Sequence, residues 1–190
     1  MRALLLAALA LAGCQTLDPP PLVAVDPDDR LQVVYAPWFP ESSFRYQARH
    51  YQDGARMEII DSGASNRRFE AAYLTAGPGL AWRGQRTDPT SFAKDWSFFV
   101  RTPHTVGAPK TVSTPFGSQT VHRISTAWRE CVAWHWYFDE RFGAHDYAGK
   151  RSTGYFCTTP ATPLTDAEID RTLAGYGIRG IAVPKSSLRS

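Results

Sequence analysis

Apolar and polar residues alternate with a period of two from Phe44 to Leu74. Phe44, Tyr46, Ala48 and His50 share one face of an extended segment. Beyond Tyr51-Gln52-Asp53-Gly54-Ala55, Met57 and Ile59 alternate with Arg56 and Glu58. Asp-Gly between two such runs predicts a type I′ hairpin. After the Ser62–Asn66 turn cluster, Phe69, Ala71 and Tyr73 face away from Glu70, Ala72 and Leu74. Three alternating runs joined by short turns predict an antiparallel meander, which Gly77-Pro78-Gly79 ends.

The period then lengthens. Asp88 is a good N-cap, Pro89 suits the first helical position, and Phe92, Trp96, Phe99 and Val100 repeat at helical spacing. The pattern predicts a helix near 89–101, stopped by Thr102-Pro103, although Trp96-Ser97-Phe98-Phe99-Val100 alone also suits a strand. A second β region begins near Lys110, with a turn at Pro115-Phe116-Gly117 and loose alternation from Gln119 to Ala127. In Cys131–Phe138, Val132, Trp134, Trp136 and Phe138 form an apolar face, against a mixed face of Cys131, Ala133, His135 and Tyr137. That is a central strand, followed by a loop over Asp139–Lys150 and a further strand over Thr153–Thr158. Thr165 and Glu168 form a capping box with Leu164 and Ile169 as a hydrophobic staple, so a second helix is predicted near 166–174 with Gly175 as C′ residue. Gly177–Val183 reads as a last short strand. Together these elements predict an α+β fold: an antiparallel sheet of six or seven strands with two helices.

Composition narrows the class. The chain has 190 residues, 43% hydrophobic and 13% aromatic, enough for one domain with a real core, placed at 31–184 and followed by a polar tail, 185–190. The net charge of +3, about +2 without residues 1–13, is nearly neutral and gives no argument for nucleic acid as a partner.

The N-terminus departs from both periods. Met1-Arg2 precedes an unbroken apolar run, Ala3–Ala12. That run is too short for a membrane-spanning helix, which needs roughly 20 residues, but it fits the apolar region of a secretory signal peptide. It ends in Leu11-Ala12-Gly13-Cys14, which resembles the lipobox of bacterial lipoproteins. The resemblance covers residues 1–14. It implies removal of 1–13 and a covalent lipid, normally of three acyl chains, on Cys14. Two or more chains give durable membrane attachment. Gln15, where Asp would signal inner-membrane retention, implies an outer-membrane location facing the periplasm. Residues 14–30, with prolines at 19–21 and 27, read as a semi-rigid tether whose Val23-Ala24-Val25 patch offers an alternative, docking on the domain. No cofactor beyond the lipid is expected.

With Cys14 assigned to lipid, Cys131 and Cys157 remain, an even pair in an oxidising compartment and hence a predicted disulfide. The alternative makes the protein an envelope hydrolase or transferase. Cys131 with His122 or His135 would then supply a thiol–imidazole pair, although Arg129-Glu130-Cys131-Val132 matches no nucleophile motif. His135, Asp139, Glu140, His145 and the neighbouring Asp146 carry zinc-ligand chemistry, but at no recognised spacing. No G-x-S-x-G, phosphate-binding glycine loop or C-x-x-C-H is present. Trp38, Phe39, Trp82, Trp128 and Tyr147 fall in or near predicted loops or strand ends, where aromatic rings stack on sugars or cover a partner's apolar surface. Filling the core is the plainer account of them. Arg67, Arg68, Arg83 and Arg86 could meet an acidic glycan or a phospholipid headgroup, or be solvated surface. The reading that results is a non-enzymatic envelope lipoprotein that binds a protein or cell-wall component. An apolar-ligand carrier is a third possibility.

Overall fold

The computed structural model describes residues 19–64, 66–83, 96–140 and 147–184. Among the described residues eleven strands, β1 (Val23–Ala24), β2 (Gln32–Val34), β3 (Arg45–His50), β4 (Arg56–Gly63), β5 (Arg67–Thr75), β6 (Trp82–Arg83), β7 (His104–Thr114), β8 (Gly117–Thr126), β9 (Glu130–Glu140), β10 (Tyr147–Thr158) and β11 (Tyr176–Ile178), accompany two helices, α1 (Ser97–Arg101) and α2 (Asp166–Ala174). The class is α+β, as predicted. The main sheet has nine strands rather than six or seven, in the order β1-β3-β4-β5-β10-β9-β8-β7, with β6 paired to β10. A second sheet holds β11 and β2. Among the described residues no helix is long and apolar enough to cross a membrane.

Two meanders build the main sheet. The first, β3-β4-β5, is the one the alternation predicts. The second, β7-β8-β9-β10, returns its last strand against β5, so that Phe156 pairs with Phe69 and Tyr155 with Glu70. The central strands are therefore covered on both faces, and each face has its own cluster. On one face Phe69, Trp134, Phe156 and Tyr176 pack with α2 and with Phe39 and Phe44. On the other Ala72, Leu74, Ala133 and Tyr155 lie under Trp96 and Phe99. Edge strand β7 carries a register shift between Val106 and Pro109; a bulge and a proline blunt an open sheet edge against unwanted pairing.

Several local expectations change. The Asp53-Gly54 hairpin is not type I′, which needs positive φ at both central residues. Gly54 has φ +80°, but Asp53 does not share that conformation. The Gly54 N–H donates to the Tyr51 carbonyl, and the Tyr51 N–H to the Ala55 carbonyl. The loop therefore has three residues and closes on a left-handed glycine. The described helix α1 is shorter than the predicted 89–101; the predicted start at Asp88-Pro89 lies outside the described residues, and Trp96 is the N-cap. The end of the predicted Asp139–Lys150 loop is instead strand, since β10 starts at Tyr147. Val23-Ala24, inside the predicted tether, pairs with Ala48 and Gln47 as β1 and carries the folded body back to Val23. Helix α2 has the predicted capping box. Its C-cap, Gly175, is right-handed at φ −86°.

One polar chain runs through the larger core. Glu58, fully buried, accepts from the Leu31 and Gln32 N–H groups and from Arg56. Gln32 returns a bond from Nε2 to the Glu58 carbonyl, and its Oε1 accepts from the Tyr176 hydroxyl. Tyr176 also meets Ser152 Oγ at 2.9 Å, and Ser152 accepts from the Trp134 indole. This chain fastens the small β2/β11 sheet to the large one.

Candidate functional site

Cys131 on β9 and Cys157 on β10 are direct cross-strand partners, and they form a disulfide. Both are fully buried. Neither sulfur is then available as the thiolate that acyl transfer needs. His135 lies four residues along the same strand, about 13 Å away at strand rise. Its ring stacks on Tyr137 at 4.8 Å. Burial first, and the Arg151 charge second, push its pKa down to about 4, so the imidazole is neutral at pH 7. His122, on β8 opposite Ala133, meets the Gly107 carbonyl through Nδ1 at 3.4 Å.

The suggested zinc set is not assembled by the described residues. Asp139 stands near the end of β9 in the left-handed conformation, φ 61°, which Asp tolerates better than most side chains. Glu140 closes the strand opposite Ala148. His145 and Asp146 lie outside the described residues. Among the described residues no group of three or more His, Cys, Asp and Glu is arranged to hold a metal.

The tryptophans divide by role. Trp134 and Trp136 are core, as expected, and donate to Ser152 Oγ and the Thr120 carbonyl. Trp96 donates to Thr153 Oγ1. Trp38 is structural: its indole donates to Thr172 Oγ1 on α2 at 2.8 Å, with the Arg67 and Arg171 guanidiniums over its ring. Phe39 is buried in the core. Trp128 differs: at 74% exposed it stands at the β8–β9 turn. Thr126 Oγ1 accepts from both the Trp128 and Arg129 N–H groups, which pins the turn. Of the arginines, Arg67 pairs with Glu168 and Arg68 with Glu70, so both are held by carboxylates within the fold. Arg86 and the side chains of Arg83 and Tyr147 lie outside the description.

The remaining tryptophan, Trp82, helps to line a cleft of about 160 Å³ with Asp53, Ala55, Ala76, Gly77, Leu80 and Ala81. Two turns meet to form it. A Cβ on Gly77 would sit 2.0 Å from the Asp53 carbonyl oxygen, so only glycine allows the second segment to cross the first. Pro78 Cδ lies 3.1 Å from where a Gly54 Cβ would be, and seals the same junction. Asp53 Oδ1 accepts from the Ala55 N–H at 2.9 Å. Arg151 lies over the Trp82 ring, 4.9 Å from its centroid, and the buried Trp82 indole nitrogen has no hydrogen-bond partner among the described residues. Trp82 was a candidate from sequence; Asp53 was not. Asp53-Gly54 and Gly77-Pro78-Gly79 each read as punctuation, and only the fold shows that the two turns touch. Comparison of the chain with family models, with curated proteins and with solved structures finds no match in any of the three.

Proposed function

We propose that this protein is a lipid-anchored component of the bacterial cell envelope whose globular domain works by binding, its ligand an envelope protein or a cell-wall component. The observation that carries the reading is the apolar run ending in Leu11-Ala12-Gly13-Cys14. The other two cysteines support it: they are joined and buried, the form expected in an oxidising compartment. The first strand begins at Val23, nine residues past Cys14. At the length of a fully extended chain that span is at most about 30 Å, which holds the domain close to the bilayer it is tethered to. The rigid body then offers the pinned, exposed Trp128 and the Trp82 cleft as contact points.

The test is fractionation of the expressing cell. Wild-type protein is expected in the outer-membrane fraction, incorporating labelled fatty acid. Cys14→Ser is expected to lose the label and to leave that fraction. An unlabelled wild-type protein, or a Cys14→Ser variant still labelled and membrane-bound, would overturn the reading.

A further inference from the structure

We propose that the cleft between the Tyr51–Ala55 turn and residues 76–82 binds one neutral sugar ring. This rests on the envelope-binding reading and names its ligand class. The walls are preformed, because Gly77 crosses the Asp53 backbone at a distance no side chain permits. Size sets the first limit. Pockets for drug-sized ligands measure roughly 300–1,000 Å³, whereas this cleft, at about 160 Å³, has room for a single ring.

Charge sets the second limit. The Asp53 carboxylate in the wall offsets the Arg151 guanidinium, so the site has no net attraction for an anion. The Arg151 guanidinium already lies over the Trp82 ring, so a second cation gains little from that indole and meets a like charge. A neutral ligand is left. The Trp82 indole and Leu80, itself 46% exposed, give it an apolar wall against which the C–H face of a pyranose packs. Asp53 Oδ1 is held by the Ala55 N–H, and Oδ2, bonded by none of the described residues, can accept from a ligand hydroxyl. An apolar wall with a carboxylate acceptor beside it suits a sugar better than a lipid chain, which would leave that acceptor unpaired.

The test uses the mature lipidated protein with ¹⁵N-labelled tryptophan, in micelles of an oxyethylene detergent that carries no sugar. N-acetylglucosamine is the probe, and the Trp82 indole cross-peak is assigned by its loss in Trp82→Phe. The peak is expected to shift saturably. Asp53→Asn, which keeps the Oδ1 acceptor and the turn, is expected to weaken binding about tenfold. Leu80→Ser, a surface change, is expected to weaken it as well. Glucosamine, a cation, and N-acetylneuraminic acid, an anion, are expected to shift the peak less. No saturable shift, equal affinity in Asp53→Asn and Leu80→Ser, or stronger binding of either charged sugar would overturn the proposal. The Cys14→Ser fractionation is unaffected by any of these results, so the two readings fail separately.

Discussion

Glu58 shows how far a single residue can depart from its sequence signal. It alternates with Met57 and Ile59 in a run that either phase of a two-residue period would fit. The sheet is covered on both sides, so Met57 and Ile59 pack beneath one cluster while Glu58, Ile60 and Ser62 turn into the other face and are buried. The carboxylate is tolerated there because two backbone N–H groups and Arg56 neutralise and bond it. Removing it leaves those donors behind. Glu58→Ala is expected to destabilise the fold by about 3 kcal/mol, read by denaturant unfolding; a loss under about 0.5 kcal/mol, the usual range of a surface change, would contradict the clamp. His135 makes a second residue-scale prediction. Its pKa falls from an ordinary 6.5 to about 4 in the folded protein. Between those values the unfolded chain binds the extra proton, so this contribution is complete above pH 6.5 and is lost as the pH falls toward 4. It amounts to at most about 3 kcal/mol. His135→Gln is expected to flatten the stability–pH curve across that window, and an unchanged slope would contradict the assignment.

At the scale of elements, legibility followed how local each signal was. The capping box of α2 needs only Thr165 and Glu168, three residues apart, and both reciprocal bonds form. The apolar face of β9 was equally clear, because Val132, Trp134 and Trp136 sit at strict period two. Most short strands were not: β1 and β6 have two residues each and β2 three, too few for a periodicity, whereas β11 (Tyr176–Ile178) overlaps the start of the strand expected over Gly177–Val183. They account for the strand number exceeding the expectation. Turn type was misread because Asp-Gly serves two loop lengths, and the choice between them rests on whether Tyr51 pairs with Ala55 across the loop. The pairing of Cys131 with Cys157 was predicted from their number and compartment, and β9 beside β10 supplies the geometry. With the two cysteines 26 residues apart, the crosslink is worth about 3–4 kcal/mol in the chain-entropy account. The double variant Cys131→Ala/Cys157→Ala is expected to lose about that much while keeping its far-ultraviolet dichroism. Unchanged stability would show that the bond contributes nothing to the native fold.

At the scale of the whole molecule, the long-range joining of the meanders through β5 and β10 has no local signature, since nothing near Phe69 names Phe156 as its partner. That joining sets the layout of the possible contact points. The described chain enters the sheet at the β1 edge, where Val23 pairs with Ala48, while Trp128 stands at the opposite end of the strands, beyond β9 and β8. At about 4.8 Å per strand spacing and 3.3 Å per residue, the two lie roughly 40 Å apart. Trp128 is thus set far from Val23, so that under the proposed lipid anchor it would face away from the bilayer. The Trp82 cleft lies at the other strand end, beside the Asp53-Gly54 turn. The central claim, a lipid-anchored and disulfide-locked binding module, is tested most directly by one non-reducing peptide map of the mature protein with thiol labelling. The account predicts an N-terminal peptide beginning at Cys14 and carrying acyl chains, with Cys131 and Cys157 in a single crosslinked, unlabelled species. An N-terminus upstream of Cys14, an unacylated Cys14, or free label on Cys131 and Cys157 would contradict it.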